Sequence, residues 1–333
     1  MSNVLILSQE NIQRLLLKDN VNVFNQIINL MEDTFQKFTA SQSNGEQALK
    51  IESPHRIGVK MDSHQALFMP SRLGETTSIK IVSVPTKDGK GGLPATILVL
   101  NQYTGSVEAV LNAADLTAVR TAAGSGLATR YYADPNAKNL VVFGAGAQGR
   151  SHVDMMIAAR PTINRIAIWN RGDERRNKLI NELRDSYPNR EIVSANEDLE
   201  NEVRQADIIC TCTNATSPVL FGKWLKSGVH LNCVGSYTKD MHEVDAETIK
   251  KAELIVVDSI DACSLEAGEL IKSSQPQDWL EIGQVATSKM NVEQSRNKIT
   301  LFKSVGISVQ DSAISGLMVK LAKENKEGTI VPF

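Results

Sequence analysis

Few features of this sequence mark a secreted, membrane-bound or nucleic-acid-binding protein. No apolar run approaches the roughly 20 residues of a membrane-spanning helix, and the opening stretch MSNVLILSQENIQRLLL lacks the basic residues that begin a secretion signal. The formal net charge is −2, and no basic cluster is interleaved with aromatic side chains. We therefore expect a cytoplasmic protein with neither a membrane nor a nucleic acid as partner.

Cysteine is scarce as well, with four residues in the chain: Cys210, Cys212, Cys233 and Cys263. Cys210 and Cys212 alternate along an apolar run, which places them on one face of a predicted strand. Too few histidines or further cysteines lie near them to complete a tetrahedral zinc site. We predict buried, reduced thiols and no metal, which fits a reducing compartment.

The length of 333 residues predicts two domains, at roughly 100–200 residues each. Residues 9–38 carry apolar side chains at helical spacing, and the polar stretch 40–50 is predicted to be a loop. Short β-like runs then follow at residues 56–61, 66–69, 78–84, 95–101 and 106–111. We expect this N-terminal part to form a mixed or antiparallel sheet with helices on one side.

A regular alternation of strands and helices occupies the middle of the chain. The predicted strands cover residues 139–143, 165–169, 208–212, 230–233 and 254–257. The predicted helices cover residues 112–133, 148–159, 174–187, 246–251 and 264–273. Such alternation is typical of an α/β fold with a doubly wound parallel sheet. A last helical pattern at 311–325 is expected to pack back on the first domain.

The strongest local motif is LVVFGAGAQG at residues 140–149, where an apolar strand leads into a glycine-rich turn and a helix. In such a motif Gly144 permits the tight turn, Gly146 lets the backbone approach a pyrophosphate, and Gly149 lets helix and strand pack closely. The free N–H groups at the helix N-terminus then favour phosphate. This context predicts a Rossmann dinucleotide site rather than an unrelated glycine-rich turn.

The residues after the next predicted strand bear on which dinucleotide is bound. NAD enzymes place an Asp or Glu on the ribose 2′-hydroxyl, roughly 20 residues after the last glycine. This sequence has Asn170 there, followed by Arg171, Arg175 and Arg176. Because an amide followed by a guanidinium can accept a 2′-phosphate, we predict NADP(H) in preference to NAD(H), with Arg171 as the main contact. In the alternative interpretation, Arg175 and Arg176 only solvate a helix face.

Further segments resemble the ornithine cyclodeaminase/mu-crystallin family of imine-handling oxidoreductases. They are LTAVRTAAGS at 116–125, LFMP at 67–70 with IKIV at 79–82, LPAT at 93–96 with TG at 104–105, and FKSVG at 302–306 with QD at 310–311. The resemblance implies a central Rossmann domain, residues 126–305. It also implies a split α+β substrate-binding and dimerisation domain, residues 1–125 with 306–333, and a homodimer.

The resemblance assigns Arg56, Lys80 and Arg120 to the α-carboxylate of a small amino-acid-derived substrate. Guanidinium groups and an ammonium suit a planar carboxylate, and fixing it orients the α-carbon for hydride transfer. Lys80 and Arg120 are the predicted catalytic residues, with Lys80 as general acid or base because neighbouring cations would lower its pKa. The competing interpretation of each residue is a surface ion pair.

The same resemblance places further residues at the cofactor. They are Ala147 and Gln148 at the pyrophosphate, and Thr96, Thr213, Val234 and Gly235 along the rest of the cofactor. Asp311 matches a position near the nicotinamide. An Asp at the start of a helix is also a natural N-cap, which is the alternative interpretation of Asp311.

Two departures from ornithine cyclodeaminases bear on the substrate. Those enzymes carry an acidic residue where this chain has Leu67, and a catalytic Asp after a Val-Gly-Gly turn, where this chain reads VGSYTKD at 234–240. A cationic δ-amine would therefore lose its partners.

We predict an NADP(H)-dependent oxidoreductase that reduces a cyclic ketimine or interconverts an amino acid and its 2-oxo acid. Cyclodeamination of ornithine or lysine, with Asp62 or Asp240 as the carboxylate, is one alternative. NADPH-regulated binding of a small ligand is another. A shikimate-dehydrogenase-like enzyme would share the Asn-Arg strand end, but the flanking motifs argue against it.

Overall fold

The computed structural model describes residues 3–17, 20–44, 50–86, 92–289, 292–295 and 297–333. The chain divides into two compact units, Met1–Arg120 with Ile307–Phe333, and Thr121–Gly306. The domain limits predicted above, 125/126 and 305/306, are close to these divisions in the sequence. The first unit is thus assembled from both ends of the chain.

An eight-stranded mixed sheet forms the frame of the first unit. Its strands are β1 (Asn3–Leu7), β2 (Ile51–Glu52), β3 (Ile57–Lys60), β4 (His64–Leu73), β5 (Thr76–Pro85), β6 (Ala95–Leu100), β7 (Val107–Asn112) and β16 (Thr329–Pro332). Their order is β16-β1-β7-β6-β5-β4-β2, and β3 pairs with β4 as well. Strands β1 and β7 are parallel, and the other pairs are antiparallel.

Helices α1 (Gln9–Leu17), α2 (Asn20–Asn44) and α11 (Ser308–Asn325) belong to this unit. Apolar side chains of α2 recur at helical spacing and are fully buried, among them Ile27, Met31 and Phe35. The loop predicted from residue 40 is wrong for residues 40–44, because α2 continues to Asn44. Residues 45–49 of that prediction lie outside the described residues.

A cluster of buried serine hydroxyls holds α11 against strands β4 and β5. The Oγ atom of Ser312 lies 2.6 Å from Ser71 Oγ and 2.8 Å from Ser78 Oγ. Ser71 also donates to the carbonyl oxygen of Ser308 at 2.7 Å. These bonds fix the start of α11 over the two strands, and Asp311 lies in that first turn.

The second unit contains an eight-stranded sheet in which every pairing is parallel. Its strands are β8 (Asn139–Phe143), β9 (Arg165–Trp169), β10 (Glu191–Ser194), β11 (Ile208–Thr211), β12 (His230–Cys233), β13 (Leu254–Val257), β14 (Trp279–Glu281) and β15 (Thr300–Lys303). Their order is β10-β9-β8-β11-β12-β15-β13-β14. The strand order reverses between β8 and β11, and doubly wound folds bind their ligands at such a switch point.

Helices alternate with these strands, which confirms the predicted α/β class. Helix α3 (Ala114–Tyr132) crosses the division of the chain after Arg120. The other helices are α4 (Ala147–Ala159), α5 (Asp173–Ser186), α6 (Leu199–Gln205), α7 (Ala246–Lys251), α8 (Ile260–Glu266), α9 (Gly268–Ser273) and α10 (Ile282–Ser288). Within the described part of the chain, no helix combines the length and apolar character that crossing a bilayer requires.

The single helix predicted at 264–273 is wrong, because the structure has two helices that meet at Ala267. Helix α9 begins at Gly268, where a Cβ atom would lie 2.4 Å from the carbonyl oxygen of Met241 and 2.6 Å from that of Lys239. The backbone of a preceding loop thus packs directly on Gly268. Such a tertiary contact leaves no mark on the apolar periodicity of the helix itself.

The serine cluster yields a stability prediction. Replacing Ser312 with Ala removes the hydroxyl that meets both Ser71 and Ser78, and leaves buried hydroxyls without that partner. We expect Ser312→Ala to lower the free energy of unfolding by about 1–3 kcal/mol in a urea titration. The control is Ser315→Ala, because Ser315 is equally buried but bonds within its own helix, to the carbonyl oxygen of Ser312. Equal losses from both variants would contradict this account of the docking.

Candidate active site

Two buried cations and one buried carboxylate lie together in the first unit. Lys80 on β5 is 1% exposed, and its Nζ atom lies 3.0 Å from Oδ1 and 2.9 Å from Oδ2 of Asp311. Arg120 on α3 donates from Nε to Oδ1 of the same carboxylate at 3.0 Å. This cluster holds more positive than negative charge away from water, an arrangement that favours an additional anion.

The local sequence explains why these side chains point inward. Residues alternate across β5, so Ser78 and Lys80 share its buried face. In register, Lys80 lies between Met69 of β4 and Ile97 of β6, on an inner strand of the sheet. Asp311 lies in the first turn of α11, where the helix N-terminus favours a negative charge.

Gln310 connects Arg120 to the start of α11, a role that the sequence analysis missed. Its Oε1 atom accepts from Arg120 Nη1 at 3.0 Å and from the backbone N–H of Ile307 at 3.2 Å. Its Nε2 atom donates to the carbonyl oxygen of Arg120 at 3.3 Å. The amide therefore holds the guanidinium in place. The only signal in the sequence was its position beside Asp311.

The environment of Lys80 changes its acidity. Burial first, and then the charge of Arg120, lower the pKa of the Lys80 ammonium to about 7, against the opposing charge of Asp311. Arg56, half-buried just before β3, contributes a smaller lowering of this pKa. Near neutral pH Lys80 is therefore poised both to donate and to accept a proton.

The surface ion-pair interpretation is wrong for Lys80 and Arg120, which are 1% and 4% exposed. The N-cap interpretation of Asp311 is also wrong, because the cap position is residue 307 and the Asp311 carboxylate contacts the two cations. Among the described residues, Oδ2 of Asp311 makes no hydrogen bond, although the Lys80 ammonium lies beside it. A buried oxygen atom without a hydrogen-bond donor suits a ligand that donates an N–H group.

The glycine-rich turn of the second unit has the geometry that a dinucleotide requires. Gly144 has φ +106°, and a Cβ atom on it would lie 2.6 Å from the carbonyl oxygen of Cys212. A Cβ atom on Gly149 would lie 1.9 Å from the carbonyl oxygen of Gly144. At Gly146, in contrast, a Cβ atom would meet none of the described atoms within 4 Å. The space beside Gly146 is therefore open to a ligand.

Helix α4 starts at this open space, with Gly146 as its N-cap, and a glycine has no side chain with which to cap the first N–H groups of the helix. Ala147 is exposed and Gln148 half-buried in its first turn. Uncapped N–H groups and the positive end of the helix suit a pyrophosphate. The residues present therefore fit the phosphates of a dinucleotide.

A buried histidine and serine hold the start of α4, and neither was predicted. His152 Nδ1 lies 2.8 Å from the carbonyl oxygen of Gln148, and its Nε2 lies 3.0 Å from Ser125 Oγ of helix α3. Burial lowers the pKa of His152 to about 4, so the ring is neutral, with Nδ1 donating and Nε2 accepting. The last serine of the LTAVRTAAGS segment thus braces the helix that carries the glycines.

Asn170 braces the glycine-rich turn from the neighbouring strand end. Its Oδ1 atom accepts from the backbone N–H of Ala145 at 3.1 Å, and its Nδ2 atom donates to the carbonyl oxygen of Gly172 at 2.8 Å. Arg171 and Arg175 are exposed beside it. The solvation interpretation is wrong for Arg176, which is buried and donates to Asp173 at 2.6 Å.

The remaining cofactor candidates divide between the two units. Thr213 follows β11 and the pair Val234 and Gly235 follows β12, at the carboxyl ends of adjacent strands in the second unit. Thr96 belongs to the first unit, where it is exposed on β6 between Ile81 and Asn112 in register. Their contacts with a cofactor stay predictions, as do those of Asp311.

Gly146 and Gly149 allow binding and folding to be tested separately. Gly146→Ala places a methyl group in open space, so we expect the free energy of unfolding to change by less than about 1 kcal/mol. The same methyl group obstructs the approach of a pyrophosphate, so dinucleotide affinity should fall at least ~10-fold in a calorimetric titration. Gly149→Ala should instead lower thermal stability directly, because its methyl group overlaps Gly144. Undiminished binding by Gly146→Ala would contradict the assignment.

Comparison with known proteins finds relatives that match most of the chain. The model of the ornithine cyclodeaminase/mu-crystallin family matches residues 12–326. A Delta(1)-pyrroline-2-carboxylate reductase of Bacillus cereus is 33% identical over 283 residues, covering 82% of this chain and 86% of that protein. The ketimine reductase mu-crystallin of Rattus norvegicus is 29% identical, covering 90% and 93%.

A solved structure matches the whole fold. The Thermococcus litoralis Delta(1)-pyrroline-2-carboxylate reductase in complex with NADH and L-proline superposes with a TM-score of 0.87 and is 28% identical. The match covers 98% of this chain and 99% of that one. The family model, the identity to these reductases and the common fold agree, and the chain belongs to the ornithine cyclodeaminase/mu-crystallin family.

Proposed function

We propose that this protein is an NADP(H)-dependent reductase of cyclic ketimines that carry an α-carboxylate, with Δ1-pyrroline-2-carboxylate as the first candidate substrate. The observation that carries the proposal is the buried cluster of Lys80, Arg120 and Asp311. Relatives that match most of the chain are a pyrroline-2-carboxylate reductase and a ketimine reductase. A relative with the same fold is described with NADH and L-proline bound.

The charge of the cluster supports the binding of a carboxylate. Lys80 and Arg120 share one counterion, Asp311, and Arg56 adds a third positive charge within electrostatic range of Lys80. A substrate carboxylate would compensate the remaining positive charge through charge-assisted hydrogen bonds. Its fixed position would orient the adjacent imine carbon.

The reaction adds one hydride and one proton across the C=N bond, giving a secondary amine. A nicotinamide cofactor, when bound, would supply the hydride to the imine carbon. The Lys80 ammonium, with its pKa near 7, is a suitable donor of the proton to nitrogen, directly or through a water molecule. The Oδ2 atom of Asp311, which makes no hydrogen bond among the described residues but lies 2.9 Å from the Lys80 ammonium, would accept the N–H of the protonated imine and so stabilise its positive charge.

Cyclodeamination of ornithine is less well supported by the side chains present. Leu67, at the position of the family's acidic residue, lies between Gly58 and Val82 in register and offers no charge. Asp62 and Asp240, the two carboxylates considered as substitutes, are both exposed. A bound δ-ammonium would therefore lack a buried anion from these residues.

A homodimer and a cytoplasmic location belong to the same proposal. Strand β3 carries the exposed apolar side chains Ile57 and Val59, and Met61 beyond its end is exposed as well. A row of apolar residues on a strand suits burial against a second copy of the chain.

The test of the reaction is the oxidation of NADPH by purified protein with three substrates in parallel: Δ1-pyrroline-2-carboxylate, Δ1-piperideine-2-carboxylate, and pyruvate with ammonium. We expect turnover with a cyclic imine, and a loss of at least ~100-fold in Lys80→Ala with NADPH binding retained. Lys60→Ala, at an exposed lysine of β3, is the control and should keep full activity. Ammonia release from ornithine without imine reduction would favour a cyclodeaminase, and NADPH binding with no turnover would favour a binding protein.

The pKa of Lys80 predicts how the reverse reaction depends on pH. Oxidation of the amino acid requires neutral Lys80 as proton acceptor, and the lowered pKa makes the neutral form dominant above pH 7. We therefore expect kcat/KM for L-proline oxidation to increase as the pH is raised through about 7, because Lys80 loses its proton there. Lys80→Arg should abolish that rise, because arginine keeps its proton. If kcat/KM rises in Lys80→Arg as it does in the wild type, the titrating group is not Lys80.

The preference for NADPH over NADH rests on the exposed Arg171 and on Asn170, which stands where NAD enzymes place an Asp or Glu. Arg171→Ala should weaken NADPH binding at least ~10-fold and NADH binding less than ~2-fold. Lys178→Ala removes the same charge from an exposed position of α5 and should change neither affinity. Equal losses of NADPH and NADH binding in Arg171→Ala would exclude this arginine as the residue that recognises the 2′-phosphate.

A further inference from the structure

Glu243 is a buried carboxylate that contacts the segments at the ends of two adjacent strands of the second unit. Its Oε1 atom accepts from the backbone N–H of Thr213 at 2.6 Å and from Thr213 Oγ1 at 2.8 Å. Its Oε2 atom accepts from the backbone N–H of Gly235 at 2.7 Å and from Thr211 Oγ1 at 2.8 Å. Four donors therefore converge on one side chain that is fully buried.

The ionised carboxylate suits these four donors better than any neutral side chain of the same size. Each oxygen receives one backbone N–H, which cannot turn away or act as an acceptor. Burial raises the pKa of Glu243 above its ordinary value, and the charge of Glu269 adds to the rise. The charge of Lys303 and the hydrogen bonds to the Glu243 oxygens lower this pKa, but they offset the rise only in part. Lys303 is itself buried and pairs with Glu269 at 2.7 Å.

The main chain of Glu243 is fixed as well. Its carbonyl oxygen accepts from the N–H groups of Val219 and Leu220 at 2.8 and 3.1 Å. Gly235 packs so closely that a Cβ atom on it would lie 2.5 Å from Oε1 of Glu243 and 2.0 Å from the carbonyl oxygen of Thr213. The carboxylate thus packs tightly against the two segments that follow β11 and β12.

The location of the segments after β11 and β12 indicates which half of a dinucleotide they would contact. They leave the carboxyl ends of β11 and β12, on the far side of the strand-order switch from β9 and β10. A dinucleotide bound across such a switch places one nucleotide half on each side. The glycine-rich turn after β8 and Arg171 after β9 belong to the adenine half, which leaves the segments after β11 and β12 for the nicotinamide half.

We propose that Glu243 is a positioning residue for the nicotinamide half of the cofactor, acting through the backbone of Thr213 and Gly235. The inference rests on the proposed use of a nicotinamide dinucleotide. Glu243 does not contact the reacting atoms in this role. Its carboxylate sets the distance and orientation between the two backbone segments, and those segments form the wall against which the nicotinamide nucleotide lies.

The variant Glu243→Gln tests the proposal, because the amide keeps the size of the side chain but has a single acceptor oxygen. One backbone N–H, of Thr213 or Gly235, would face the NH₂ group and lose its partner. We expect NADPH binding, measured by calorimetry, to weaken at least ~10-fold. Binding of adenosine 2′,5′-bisphosphate, which lacks the nicotinamide half, should change less than ~2-fold.

A purely structural role would not separate these two ligands. The control is Glu281→Gln, because Glu281 is also a buried carboxylate and accepts a backbone N–H, that of Ile260 at 3.0 Å, but lies on the edge strand β14. It should lower stability towards urea without changing the ratio of the two affinities. If Glu243→Gln is too unstable to purify, Glu243→Asp withdraws the carboxylate by one methylene and should show the same selective loss.

The outcomes separate this inference from the proposed reaction. Equal affinities for NADPH in the wild type and in Glu243→Gln would overturn the role of Glu243 and leave the reductase proposal intact. A parallel loss of both ligands would also overturn it, since the effect would then be general. A wild-type protein that binds NADPH and reduces no imine would overturn the reaction alone, because the binding ratio does not depend on turnover.

Discussion

The proposed active site depends on an excess of positive charge that the protein holds away from water. Lys80 and Arg120 share the single carboxylate of Asp311, and all three side chains are at least nine-tenths buried. Burying unbalanced charge costs stability, and proteins avoid it unless a partner completes the balance. A small carboxylate is such a partner. The inner strand β5, the serine cluster under α11 and the brace of Gln310 all keep this arrangement in place.

The second unit also buries a charged residue, Glu243, but with different hydrogen bonding from Asp311. The difference distinguishes a structural role from a chemical one. Glu243 receives four hydrogen bonds, so both of its oxygens are satisfied by the protein itself. Asp311 keeps one oxygen without a hydrogen bond among the described residues, and Lys80 has its pKa displaced to about 7. A satisfied buried charge gives rigidity to the backbone around it. An incompletely satisfied one is available to a ligand.

The sequence revealed the parts of this site that have local signals. Two such signals are a lysine inside an apolar strand and a glycine pattern between a strand and a helix. Each can be recognised within a stretch of about ten residues. The contacts that position them come from distant segments and could not be predicted. Gln310 meets Arg120, and Glu243 meets Thr213, across stretches of chain that no periodicity connects. Asn170 was predicted to face the 2′-phosphate of the cofactor, which stays a prediction, whereas its bonds to the backbone of Ala145 and Gly172 were not predicted.

The elements of the fold also differ in how far local sequence determines them. The long amphipathic and alternating segments were predicted, because their apolar spacing reports which face is buried. Strands β1 and β16 were missed, since each is short and is defined by its pairing at opposite ends of the chain. The break at Ala267 was missed because it depends on a loop that packs against Gly268. Local pattern thus identifies elements, whereas long-range contacts decide where short ones begin and end.

In the free protein the Lys80 ammonium is destabilised by burial and by neighbouring cations, and a bound carboxylate should relieve this. Nuclear magnetic resonance of isotope-labelled lysine side chains tests it most directly, with the Lys80 signal assigned from its loss in Lys80→Arg. We expect this signal to titrate near pH 7 in the free protein, and at higher pH once L-proline is bound. A titration near the ordinary lysine value of 10.5, unchanged by L-proline, would contradict it.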